Sequence, residues 1–325
     1  MTSAYRGGEP VAETIRSDFP ESLHRGSVAV TGPDGELIAA IGDADSPILP
    51  RSANKPMQAV AMLRSGWKPD SEADLAIAAA SHKGEPMHIE RVDSVLTSAE
   101  MSEDQLQCPP DLPGDPAALR RALSSGSRAR RLYMNCSGKH AGMLAACAAA
   151  GWDPATYRDP RHPLQRRIRA VIEELSGETV EAVGVDGCGA PVMALSLAGL
   201  ARAFNRMVES DPEAHERAVA DAMRAHPKLI AGTNAPDSRA MAAVPGLLAK
   251  GGAEGVHALS VPGVGAVAVK IDDGGGRASM PVALRALAVK LDYRFPESAA
   301  RVIEELTSPE VLGGGQPVGR LRTLL

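Results

Sequence analysis

Aromatic side chains make up only 3% of the 325 residues. The core must therefore be filled by Ala, Val, Leu and Met, and stacking on aromatic rings is excluded as a principal mode of ligand recognition. A basic excess is also missing. The chain has 35 Lys+Arg against 40 Asp+Glu, net −5, which argues against nucleic acid or an anionic membrane as a partner. The short clusters Arg128, Arg130, Arg131 and Arg166, Arg167, Arg169 read as solvated faces. No apolar run approaches membrane-spanning length, and Met1 to Asp18 has no apolar core flanked by basic residues, so the expectation is a cytoplasmic protein with no membrane association. Cysteine is sparse. Cys108, Cys136, Cys147 and Cys188 read as thiols rather than as a disulfide framework. There is no internal repeat. What remains is a globular chain, 44% hydrophobic and long enough to bury a large core, with a small molecule as its expected partner.

The N-terminal part is β-patterned: Ser27 to Thr31 and Glu36 to Ile41 flank Gly32-Pro33-Asp34-Gly35, which supplies the dihedrals of a hairpin turn. Helical patterns then dominate. Met57 to Gly66, Pro86 to Glu100, Ala141 to Ala150, Val192 to about Met207 and Pro212 to Ala225 are expected helices. The clearest is Pro163 to Ser176, where Leu164, Ile168, Val171, Ile172 and Leu175 share one face between an opening proline and a closing glycine. Strands return at Val256 to Val261 and Gly265 to Ile271, followed by helices from Ala278 and Glu297; the Gly- and Pro-containing tail beyond is expected to be loosely held. Strands at both ends with helices between them imply an α+β fold. N- and C-terminal strands meet in one antiparallel sheet, covered by helices, with a helical subdomain.

The chemistry is concentrated in Pro50-Arg51-Ser52-Ala53-Asn54-Lys55-Pro56-Met57-Gln58. Residues three apart on a helical turn share a face, so Ser52 Oγ and the Lys55 amine come within proton-transfer reach if a helix opens here. A lysine base must be neutral, and burial or an adjacent cation such as Arg51 depresses its pKa. Ser-x-x-Lys alone is equally a solvated helix start capped by Ser52. Further along, Ser81-His82 ends an apolar run, and Lys250-Gly251-Gly252 lies beside a late strand. The order matches Ser-x-x-Lys, Ser-Asp-Asn and Lys-Thr-Gly of penicillin-recognising serine enzymes, although His82 and Gly251 depart from that pattern. Asn135-Cys136-Ser137-Gly138-Lys139-His140 opens a helix, where free N–H groups favour anions and lower thiol pKa values. Asp186-Gly187-Cys188-Gly189 is a glycine-rich turn after a short strand. Taken singly, Cys136 and Cys188 read equally well as small buried hydrophobes, His140 as a hydrogen-bonded core histidine and Lys250 as a surface lysine.

The ordered set resembles the rhizobial-type, asparaginase II-like L-asparaginase family. The motifs that carry the likeness are Pro50-Arg51-Ser52 with Lys55-Pro56-x-Gln58, Ser81-His82, Asn135 to His140, Asp186 to Gly189, and Lys250-x-Gly252-Ala253-Glu254-Gly255. The resemblance implies a serine β-lactamase/glutaminase-like fold and one domain over 1–325, with a helical middle region of roughly 56–250 inserted between terminal strands. It implies hydrolysis of L-asparagine to L-aspartate and ammonia through an acyl-enzyme, with Ser52 as nucleophile. Ser52–Lys55 and Ser81–Lys250 would be two Ser-Lys pairs. Arg51, Ser137, His140 and Asp186 would lie at the substrate, and Cys136, Lys139 and Cys188 would hold one zinc ion that supports substrate binding. A homodimer is the implied assembly. The rival readings are a glutaminase or penicillin-recognising hydrolase and, in another class, a zinc-binding or sensor protein without turnover.

Overall fold

The computed structural model describes residues 5–325. The chain runs β1 (Glu9–Arg16), β2 (Phe19–Thr31), β3 (Leu37–Ile41), α1 (Lys55–Arg64), α2 (Glu72–Ala78), α3 (Pro86–Ser98), α4 (Pro116–Ser124), α5 (Ser137–Ala150) and α6 (Pro163–Ser176). It continues through β4 (Val183–Val185), β5 (Pro191–Met193), α7 (Leu197–Glu209), α8 (His215–Ala225), α9 (Pro227–Ala231) and α10 (Pro236–Ala243). The last elements are β6 (Leu248–Gly251), β7 (Val256–Val261), β8 (Gly265–Ile271), α11 (Ser279–Lys290), α12 (Ala300–Thr307), β9 (Glu310–Gly313) and β10 (Gln316–Thr323).

The fold is α+β. One antiparallel sheet has the order β6-β7-β8-β2-β1-β10-β9, with β3 paired on β2. Strand β2 joins the two ends of the chain: its first half pairs with β1, and Gly26 to Thr31 pairs with β8 in the register Val28↔Val269 and Val30↔Val267. That second half is buried on both faces, and its alternating Val and Ala give the pleat a flat surface against which α7 and α11 pack. Helices α2, α5, α6 and α8 pack around α1, which is buried from Lys55 to Leu63, while α12 packs on α11.

Local chemistry explains where the helices begin and end. Asp115 and Ser196 accept the N–H groups of Ala118 (2.7 Å) and Gly199 (2.9 Å) at the starts of α4 and α7. Pro163 occupies the first turn of α6 and Gly177 closes it in the left-handed conformation, φ 71°. Leu164, Ile168, Val171, Ile172 and Leu175 are all buried, as their periodicity requires.

Two expectations are corrected. The Gly- and Pro-containing tail is not loose: β9 and β10 form a hairpin through Gly314-Gly315, and β10 pairs with β1 from Ala12↔Thr323 to Arg16↔Gly319. Its charged and small residues hid it, because Leu321 is the one deeply buried residue of the strand. The helix expected from Val192 starts at Leu197 instead, since Pro191–Met193 pairs with Val183–Val185 and Ser196 caps the helix. A short all-apolar run does not distinguish a buried strand from a buried helix.

The layers touch closely at α5. A Cβ on Gly138 would lie 2.2 Å from the Ile77 carbonyl oxygen on α2. Gly138→Ala should therefore cost about 1–3 kcal/mol by overpacking, beyond the ~1 kcal/mol that alanine gains as a helix former. Urea denaturation should show a lower midpoint for this variant, and an unchanged midpoint would show that α2 and α5 can separate freely.

Candidate active site

Arg51–Asn54 forms a 3-10 turn that runs directly into α1, so the expected helix opening is a tight turn followed by an α-helix. The Lys55 amide donates to the Ser52 carbonyl, which places the two residues one turn apart. Arg51 carries φ +53°, a conformation that costs a non-glycine residue energy and that concentrates at functional sites. The turn is pressed from outside by the segment after β6. A Cβ on Gly252 would lie 2.5 Å from Pro50 O and 3.4 Å from the Ser52 amide, so only glycine allows that approach.

The lysines converge on Ser81. Lys55 Nζ donates to Ser81 Oγ at 2.9 Å and to Ala80 O at 2.5 Å; Lys250 Nζ donates to the same Ser81 Oγ at 2.9 Å and to Gly251 O at 2.6 Å. Both amines are buried, whereas Ser52 and Ser81 are only partly so. The expected Ser81–Lys250 contact is present. Ser52 Oγ makes no hydrogen bond among the described residues, and the expected Ser52–Lys55 pair is replaced by Lys55–Ser81. Burial pulls the Lys55 amine down, with Lys139 adding to the effect and the Cys136 thiolate opposing it. Burial likewise brings Lys250 to about 7, with Asp237 opposing and Lys55 adding.

Arg51 Nε donates to Asp186 Oδ1 at 2.8 Å, which joins the 3-10 turn to the β4–β5 turn, and Nη1 lies 3.7 Å from Glu254. Burial pushes the Asp186 carboxyl up, but Lys139, Arg51 and the Gly187 N–H together hold it below its usual range. Beneath it, Cys136, Lys139 and Cys188 come together as expected. Lys139 Nζ donates to Cys188 Sγ at 3.0 Å. The neighbouring Cys188 thiol holds Cys136 well below its ordinary range, and the same contact with burial pushes Cys188 up; Cys136 Sγ also donates to Asn135 Oδ1 at 3.0 Å. Burial opposes the Lys139 charge, but Cys136, Cys188 and Asp186 outweigh it and keep the amine protonated. Among the described residues no three His, Cys, Asp or Glu side chains are grouped so as to hold a metal ion.

Ser137 and His140 are both fully buried. Ser137 Oγ donates to Leu132 O at 2.9 Å and contacts His82 Nε2 at 2.8 Å, so its hydroxyl is committed to the fold rather than turned toward a substrate. His140 Nδ1 lies 2.6 Å from Tyr157 Oη, which accepts the Gln107 amide, and Nε2 has no partner among the described residues. Burial, Lys139 and Lys55 keep its imidazole neutral. Cys108 and Cys147 stand apart; burial pushes their thiols up to about 11 and about 12, as suits inert core residues.

Sequence reasoning missed the strut under Ser81. His82 Nδ1 accepts the Gly84 amide (3.1 Å), its ring stacks on His88 with centroids 5.0 Å apart, and its amide donates to Asn135 O. The Ser81-His82 and Asn135 motifs are thus one physical unit, although nothing in their separate spacing says so.

A family model described as L-asparaginase II matches residues 12–323. The chain belongs to the L-asparaginase II family. The resemblance carried by the five motifs is thereby borne out, and an amidohydrolase is the enzyme class. A search among curated proteins finds no match. Similar solved structures include a β-lactamase from Mycobacterium bovis, 15% identical over 87% of this chain and 95% of that one, TM-score 0.40. An octameric penicillin-binding protein homologue from Pyrococcus abyssi is 14% identical over 83% and 74%, TM-score 0.44. Simvastatin synthase from Aspergillus terreus is 11% identical over 76% and 86%, TM-score 0.39. Among the described residues of this L-asparaginase II family member, no helix is long and apolar enough to cross a membrane.

The two serines should differ in what they do for stability. Ser81→Ala removes one acceptor from each of two buried amines and should cost about 1–3 kcal/mol, whereas Ser52→Ala should stay within about 0.5 kcal/mol of the parent. Denaturant titrations of both variants would check this, and equal stabilities would mean that Ser81 is not the acceptor on which the lysines depend.

Proposed function

We propose that this family member hydrolyses L-asparagine to L-aspartate and ammonia. The observation that carries the reading is the convergence of two buried lysine amines on Ser81 beside the Ser52 turn. Ser52 attacks the side-chain amide, and its proton passes to the Lys55 amine. That contact forms in the complex, since catalytic hydrogen bonds often tighten only when substrate is bound. Lys250, neutral in the resting enzyme, receives that proton from Lys55 through Ser81 and delivers it to the leaving ammonia, and water resolves the acyl-enzyme. Arg51 offers its guanidinium to the α-carboxylate, Asp186 its carboxylate to the α-ammonium, and His140 an imidazole nearby. Backbone N–H groups at the start of α1 supply the oxyanion donors. A second reading, with Ser81 as nucleophile, draws on the two lysine contacts that Ser52 lacks.

Ammonia release from asparagine, glutamine and a chromogenic lactam, assayed side by side, tests the substrate; asparagine should be turned over fastest. Peptide mapping of a trapped acyl-enzyme should place the label on Ser52, and a label on Ser81 would exchange the roles. If neutral Lys250 is the active form, kcat/KM should rise with pH through about 7, because that amine is protonated below this point and neutral above it. A profile that peaks in mild acid and declines toward alkaline pH would contradict lysine bases.

The donor set fits zinc: Cys136 and Cys188 provide two sulfurs, the first with a depressed thiol pKa, and Lys139, one turn along α5 from Cys136, reaches the Cys188 sulfur. These three residues would hold the ion, which when bound adds fixed positive charge beside Asp186 and ties α5 to the β4–β5 turn. The Lys139 amine and the Cys188 thiol must each lose a proton to become ligands, so affinity should weaken as pH falls. Protein purified without chelator should carry about one zinc per chain, and stripping it should raise KM for asparagine more than it lowers kcat. Absence of zinc, with no gain in affinity or stability on adding it, would leave the cluster as a hydrogen-bonded thiol pair.

A further inference from the structure

Behind the Lys250 amine lies a buried charged layer that the reaction above does not use. Strand β6 is the last of the sheet, so the outward N–H of Gly251 has no neighbouring strand to receive it. Asp237, the second residue of α10, fills that place: its Oδ2 accepts the Gly251 amide at 3.1 Å. Its Oδ1 lies 2.7 Å from His257 Nε2, and His257 sits directly across from Gly251 in the β6–β7 register. The Asp237 and His257 side chains are only 11% and 6% exposed. The space around the peptide is full, since a Cβ on Gly251 would lie 3.3 Å from both Asp237 Oδ2 and His257 Cε1.

The other side of the same residue holds the lysine. Gly251 O accepts Lys250 Nζ at 2.6 Å, and Nζ continues to Ser81 Oγ. Asp237, the 251 backbone, Nζ and Ser81 are therefore one unbroken series of polar contacts. A carboxylate in this position must be ionised to be useful, and it is. Burial pushes Asp237 up, but His257, Lys250 and the Gly251 N–H bring it down to about 2. Around Lys250 the charged and titratable groups are Lys55 of α1, Cys136 before α5 and Asp237 of α10; Asp237 is the strongest of those that favour the ammonium form.

We propose that Asp237, seconded by His257, is a positioning residue for Lys250: it anchors the Gly251 peptide that holds Nζ on Ser81 and balances the charge of that amine. The proposal rests on the reading of Lys250 as a proton carrier.

The experiment follows Lys250 in two ways: by NMR titration of lysine-labelled protein, which needs no turnover, and by the acid limb of kcat for asparagine. Asp237→Asn keeps the acceptor and removes the charge. The Lys250 midpoint and the acid limb should both move to lower pH by about one unit, and plateau kcat should fall about tenfold as Nζ is held less firmly, with KM little changed. Asp237→Glu restores the charge and should bring the midpoint back up. Asp237 as a purely structural residue would shift neither. Should Asp237→Asn not fold, Asp237→Ser, which also removes the charge, decides in its place. A Lys250 midpoint that stays at the wild-type position in the folded charge-removing variant overturns the proposal. Absence of turnover on asparagine in the wild type would sink the asparaginase reading and leave the NMR result to stand by itself.

Discussion

Burying two amines side by side is the constraint on which the site depends. Each ammonium loses hydration when Lys55 and Lys250 are enclosed, and each raises the cost of charging the other. Ser81 makes the arrangement tolerable because one hydroxyl oxygen accepts from both, while Ala80 O and Gly251 O take a second bond from each. The result is a pair that does not stay fully protonated near neutrality. A hydroxyl between them can pass a proton either way with little movement of heavy atoms. The arrangement is an electrostatic problem solved with backbone carbonyls and one serine.

The layers of the fold supply that solution in pieces. Lys55 comes from the buried first helix, Ser81 from the loop after the second, and Lys250 from the terminal strand of the sheet. The Ser81 loop is fixed from two sides, by its own amide to Ile230 O at 2.8 Å and by the His82–Ser137–Leu132 chain of hydrogen bonds. Buried neutral histidines are costly unless every ring nitrogen has a use, and both nitrogens of His82 have one. Next to Arg51 and Asp186, Cys136, Cys188 and Lys139 form a second buried polar cluster, in which the two sulfurs favour the charge of the Lys139 amine.

Much of this was legible in the residues. The hairpin strands Val256–Val261 and Gly265–Ile271 and the helix Pro163–Ser176 occur with the boundaries their patterns gave, because turn residues and caps sit at their ends. The motif residues Ser81, Lys250, Cys136, Lys139, Cys188, Arg51 and Asp186 do meet in space. Which atom binds which was not legible. Spacing along one turn placed Lys55 beside Ser52, but a four-carbon stem reaches past its own helix, and the amine went to Ser81 instead. Ser137 carries a pocket-like motif position yet points into the core, since motif membership does not specify rotamer. Asp237 and His257 carry no sequence signal, because an isolated acidic residue at a helix start normally reads as favouring the dipole.

The contact of Gly252 with the Pro50–Ser52 turn joins sheet and helical layer backbone to backbone, with no side chain between them to adjust. A seam of this kind cannot be softened or re-cut by substitution on either side. It also has no slack: sliding of the terminal strand by a fraction of an ångström is transmitted whole to the Ser52 amide. Heat or denaturant that loosens the edge of the sheet will therefore disturb the Ser52 turn while most of the molecule is still folded, so the geometry of that turn is an early gauge of wear at the seam.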